Sequence, residues 1–132
     1  YTILHEYGHV LLEDETQVDL TVGRDTHDPA GFVEGAFRRA FYDAFWRELG
    51  VSGAGDYDRS PTHYVSRYGA NYFHEDIADT FAIFVLGGEP GKNTVAEEKL
   101  RFFWRNPDMT ALRSAVRENL GLEWPKRAAH GC

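Results

Sequence analysis

Apolar residues at the start of the chain recur at three- and four-residue steps. Ile3, Leu4, Tyr7, Val10 and Leu11 set the period of a helix that buries one side. Glu13-Asp14-Glu15 breaks the pattern, and from Gln17 to Val22 the apolar positions Val18, Leu20 and Val22 alternate, which predicts a short strand. Asp28-Pro29 supplies an N-cap followed by proline at the first helical position. It opens a second helix to about Leu49, with Gly50 as terminator and Val33, Phe37, Phe41, Ala44 and Phe45 as the buried stripe. Ser52 to Pro61 is rich in Gly, Ser, Asp and Pro and reads as a surface loop. Asn71 caps a third helix to about Leu86, closed by Gly87-Gly88, with Phe73, Ile77, Phe81, Phe84 and Val85 on its apolar face. Thr94-Val95-Ala96-Glu97 is a capping box that opens a fourth helix to about Trp104, and Asn106-Pro107 opens a fifth to about Leu120, before Gly121. The predicted fold is mainly α, about five helices with at most one or two short strands, or the helical part of an α+β domain.

Composition sets bounds on this picture. The 132 residues, 42% hydrophobic and 14% aromatic, are one domain's worth of material with enough apolar side chains for a core. Fourteen basic and 21 acidic side chains give a formal charge of −7, with no basic cluster to neutralise phosphates, so nucleic acid is not an expected partner. No apolar run approaches the length that spans a bilayer, and membrane insertion is not expected. The single cysteine, Cys132, permits no intramolecular disulfide and leaves the compartment open; the acidic balance leans towards a secreted or cell-envelope setting. Residue 1 is Tyr and the first helix begins at once, so residues 1–132 are expected to be one domain whose upstream sheet lies outside the chain.

The first helix also carries chemistry. His5, Glu6, Tyr7, Gly8 and His9 spell H-E-x-x-H. Two histidines four residues apart on a helix lie on one face about a turn from each other, so both imidazoles reach one metal ion with bonds of about 2.0–2.1 Å. Glu6, beside the first histidine, is placed to take a proton from a water on that metal, as a general base. The alternative is an ordinary amphipathic helix with two histidines on it. A catalytic zinc normally takes a third protein ligand and leaves a fourth position free. Downstream candidates are His27, His63, His74, Glu75, Asp76 and Asp79. His27 and His63 fall in predicted loops. On the third helix Glu75 and Asp79 share a face with the small Ala78 and Ala82, and Gly8 offers the matching close approach from the first helix. Glu75 is therefore the expected ligand, and Asp79, one turn on, the acceptor for a ligating histidine's free ring N–H. Asp76 points about a hundred degrees away. His74 is expected to be solvated.

With Tyr68-Gly69 and the run Glu75-Asp76-Ile77-Ala78-Asp79 added to the first helix, the chain resembles the gluzincin zinc metallopeptidases, and among them the anthrax lethal factor-like catalytic domain, over residues 1–12 and 66–86. The resemblance implies Zn2+ on His5, His9 and Glu75, Tyr68 steadying the oxyanion, and Asp79 supporting a ligand, where the family more often has Glu. It implies peptide-bond hydrolysis of a peptide or protein substrate by metal-activated water, with Glu6 as general base. A second expectation of another class is a catalytically inactive zinc-binding or interaction domain. Retention of Glu6 and the lack of a cysteine-rich ligand set favour the enzyme.

Overall fold

A computed structural model describes residues 1–49 and 56–122, and over them the fold is mainly α. The helices are α1 (Thr2–Leu12), α2 (Phe37–Phe45), α3 (Phe73–Leu86), α4 (Val95–Trp104) and α5 (Pro107–Asn119), with short 3-10 turns at Pro29–Gly31, Pro61–His63 and Gly69–Asn71. Helix α3 is the hub, and each of the other four packs on it. Its predicted face, Phe73, Ile77, Phe81, Phe84 and Val85, is fully buried. No helix among the described residues is long and apolar enough to cross a membrane.

The α1–α3 contact positions everything that follows. A Cβ placed on Gly8 would lie 3.1 Å from the Phe81 side chain and 3.3 Å from the Ala78 Cα, so any side chain here would push the helices apart by a few tenths of an ångström. That contact also turns α1 away from its predicted orientation. Leu4, Gly8 and Leu12 are buried, whereas Ile3, Tyr7 and Val10 of the expected stripe face outward, Ile3 at 78% exposure. The small Gly8 and the polar His5 select the buried face, and hydrophobic periodicity registers neither.

The strand predicted over 17–22 is not formed. Only Val18 pairs, in a single antiparallel bridge with Phe32. The Asp19 carboxylate accepts from the Thr21 amide and its carbonyl from the Val22 and Gly23 amides, which turns the chain within one residue of the bridge and leaves Leu20 and Val22 exposed. The single helix expected over 29–49 is likewise broken. A 3-10 turn, capped by Asp28, ends at Gly31, Gly35 adopts φ +82°, which no helix accommodates, and α2 begins only at Phe37. It ends at Phe45, with Trp46 turned into the core; Gly50, the predicted terminator, and Cys132 lie outside the described residues. Helix α3 starts one residue later than an Asn71 cap would require, because Asn71 closes the preceding 3-10 turn. Helices α4 and α5 follow their local signals: Thr94 accepts from the Glu97 amide, Asn106 accepts from the Met109 amide, and Gly121 takes the left-handed φ of +67°.

Candidate metal centre

His5 and His9 leave α1 towards Glu75, which sits in the first turn of α3. The His5 Nε2 is 2.9 Å from Glu75 Oε2, the His9 Nε2 is 3.3 Å from the same oxygen, and the two Nε2 atoms are 3.0 Å apart. These three residues form the one His/Asp/Glu group among the described residues with metal-binding spacing. A tetrahedral ion with bonds of about 2.0–2.1 Å holds its ligand atoms about 3.3 Å apart, so the triangle is close to the edge length zinc needs.

Protons decide what this triangle is. The His5 Nδ1 is 2.6 Å from Asp79 Oδ1, and the His9 Nδ1 is 3.1 Å from Glu13 Oε1. A carboxylate only accepts, so each neutral imidazole is assigned its hydrogen on Nδ1 and keeps a bare lone pair on Nε2. Two such lone pairs and a carboxylate oxygen then face one another, and Glu75 Oε2 is buried with no hydrogen-bond partner. Three acceptors turned inward on one another are repulsive until a proton or a metal cation lies between them. The donor set therefore fits a divalent metal such as zinc, which prefers imidazole nitrogen and carboxylate oxygen in this number.

Glu6, exposed on the other edge of α1, lines an open pocket of about 420 Å3 together with His5, Ser66, Tyr68 and Asp79. Tyr68 is 57% exposed, with its ring centroid 6.0 Å from that of His5, and the charge of Glu75 raises its phenol above the ordinary value. The sequence-predicted set of His5, Glu6, His9, Tyr68, Glu75 and Asp79 thus converges at one place. Asp76 points away, fully buried against Lys99 and Trp46.

One prediction about the histidines needs correction, that for His74. His74, expected in solvent, is half-buried and stacked between Tyr72 and His27, its ring 3.9 Å from that of His27 and its Nε2 3.3 Å from Glu75 Oε1. His27, demoted as a loop residue, is brought to the edge of the centre because Asx turns fold the 13–28 segment back, placing its Nε2 3.5 Å from Glu13. Neither belongs to the converging triangle.

Four contributors were not foreseen. Glu13, one helical turn beyond His9, holds that imidazole; its position four residues on was the available signal. Burial alone would raise its carboxyl, but the His9 hydrogen bond and the charges of Arg38, His9 and His27 outweigh burial and hold it at about 2. Arg38 is buried whole and donates to the Leu12 and Thr26 carbonyls, tying the end of α1 to the loop that carries His27. Tyr1, four residues before His5 on the same face, donates its hydroxyl to Asp79 Oδ1; burial, then Asp79, pushes its phenol up. Ser66 donates to Asp79 Oδ2 from a segment whose sequence carries no signal for it.

The Glu13 contact would make metal binding at this triangle pH-dependent. Its hydrogen bond raises the His9 pKa above 6.5, burial opposing it in part. A raised value means that a proton already competes for Nε2 above pH 6.5, so metal affinity should fall on acidification from that point, by up to about tenfold per pH unit for each proton displaced. Competition titrations with a chromophoric chelator between pH 5 and 8 should place the onset above pH 6.5 in the wild type and lower in Glu13→Gln. An unchanged onset in that variant would remove Glu13 from the explanation.

The chain matches no known family model, no curated protein and no solved structure.

Proposed function

We propose that this chain is a zinc-dependent peptidase domain of the gluzincin type, with His5, His9 and Glu75 as metal ligands. The observation that carries the reading is the close triangle of the His5 and His9 Nε2 atoms, each on a ring held through its Nδ1, and the buried Glu75 Oε2, beside an exposed glutamate on the pocket rim. Held by these three residues, zinc would supply a Lewis acid and would lower the pKa of water towards about 7. Glu6 takes the proton of the attacking water and returns it to the leaving amine. The Tyr68 phenol, kept protonated by its raised pKa, donates to the carbonyl oxygen as negative charge develops on it. Asp79 and Glu13 fix the tautomers that leave both Nε2 atoms free to ligate.

The deciding experiment is zinc per chain by elemental analysis, on wild type and Glu75→Ala purified without chelator or metal-affinity resin, followed by cleavage of a mixed peptide library. About one zinc in wild type, lost in the variant, with peptide cleavage that needs the metal, is the expected result. Zinc bound through Glu75 without any cleavage would replace this reading with that of an inactive zinc-binding domain. Absence of zinc from the wild type would overturn both.

A further inference from the structure

We propose that Ser66 is a positioning residue that sets the metal ligand His5 and the oxyanion phenol of Tyr68 in register through a single hydroxyl. The inference rests on the metal-centre reading above. A serine hydroxyl has one proton to give and two lone pairs to receive with. Here the proton goes to Asp79 Oδ2, and a lone pair takes the Gly69 amide at 2.8 Å. The other carboxylate oxygen of Asp79 holds His5 Nδ1 at 2.6 Å and the Tyr1 hydroxyl. A continuous chain therefore runs from the Gly69 N–H through Ser66 and Asp79 to the ring of His5. Gly69 and Ser66 pass their protons toward Asp79 and His5 donates to it from the other side, so the bonds converge on one carboxylate.

The far end of the chain reaches Tyr68. The Gly69 amide belongs to the peptide unit that leaves Tyr68, and the Tyr68 carbonyl accepts from Asn71, so the backbone on this side of the tyrosine is held by two bonds. Its side chain is 57% exposed, with the His5 ring alongside and a hydrogen bond from its hydroxyl to Glu75. The direction of the phenol is set by that contact and by its backbone, and Ser66 holds the backbone. Gly69 itself must be small: a Cβ there would stand 3.2 Å from Ser66 Oγ, 3.3 Å from Asp79 Oδ2 and 3.2 Å from the Asp76 Cα. The glycine after Tyr68 is the residue that lets the loop seat on the carboxylate.

The test uses the full chain as wild type, Ser66→Ala, Ser66→Thr, Tyr68→Phe and the Ser66→Ala/Tyr68→Phe double variant, with zinc affinity by chelator competition and kcat and KM on a cleaved peptide. Loss of an outer partner of a metal ligand commonly costs 10–100-fold, so Ser66→Ala should weaken zinc by about tenfold and lower kcat by about 10–100-fold with KM little changed. Threonine should restore both to within about threefold of wild type. In the Tyr68→Phe background the Ser66→Ala cost in kcat should shrink to under about threefold, because the phenol it orients is gone. The cost to zinc affinity should persist there, since it runs through Asp79 instead. A serine that merely holds the fold would lower kcat equally in both backgrounds, and that result overturns the inference. So does Ser66→Ala with wild-type zinc affinity and kcat. Those outcomes leave the metal centre standing if zinc is still lost in Glu75→Ala; a wild type that binds no zinc ends both readings together.

Discussion

Replacing Glu6 by glutamine is expected to lower kcat for peptide cleavage by about 10²–10⁴-fold while leaving zinc content and thermal stability near wild type. Glutamine has the same shape but no basic lone pair to hold a proton, so the substitution removes general-base chemistry and little else. The position of Glu6 makes this a clean experiment. It is exposed on the pocket rim and has no hydrogen-bond or ion-pair partner among the described residues, so no folded-state contact is lost with its charge. Its neighbours His5 and His9 keep their own partners, Asp79 and Glu13, and hence their ligating tautomers. A variant that keeps zinc and the wild-type melting curve but retains more than about a tenth of the activity would show that some other group moves the proton.

The same contrast between local and distant determinants governs what could be read from the chain. The grouping of His5, His9 and Glu75 was legible because a helix converts spacing directly into facing, and α1 and α3 are both helices over the positions concerned. The starts of α4 and α5 were legible because a cap is a contact between residues three apart. Elsewhere the deciding groups were polar side chains and helix contacts that apolar periodicity does not register. Glu13 reads as a polar break after a helix until its charge meets His9 and His27, and the strand expected over 17–22 gives way to the side chain of Asp19, whose hydrogen bonds are stronger than a weak alternation. The outward turn of Ile3 and Val10 follows from the close approach of Gly8 to Ala78, a property of the pair of helices and of neither one alone. Tyr1 and Ser66 join the site only because Asp79 is there to receive them.

The least legible feature has the largest expected effect on stability. Lys99 is expected to be worth about 3–5 kcal/mol, so that Lys99→Met melts roughly 10–20 °C below wild type. Its ammonium is 2.7 Å from Asp76 Oδ2 and 2.7 Å from the His63 carbonyl, 4.2 Å from the centre of the Tyr64 ring, and both charged side chains are almost wholly buried. Methionine fills much of the volume but leaves the Asp76 carboxylate with Trp46 Nε1, at 2.8 Å, as its remaining partner, and Asp76 Oδ1 has none even in the wild type. Burial already raises the Asp76 pKa, with Lys99 and Trp46 opposing that rise, and burial lowers that of Lys99. Without the ammonium the carboxyl must rise further. A raised carboxyl contributes its stability below its unfolded value near 3.9 and loses it as pH climbs through the folded value. The deficit of Lys99→Met should accordingly be larger at pH 8 than at pH 5. Adding Asp76→Asn, which keeps an acceptor for Trp46 while removing the charge, should recover most of the loss and flatten the pH dependence. A single variant as stable as wild type at both pH values would mean that the pair is solvated. Because Lys99 also holds the His63 carbonyl, at the start of the segment that carries Ser66 and Tyr68, the weakened fold should bind zinc less tightly and regain stability as zinc is added, the linkage expected when the metal binds only the folded form.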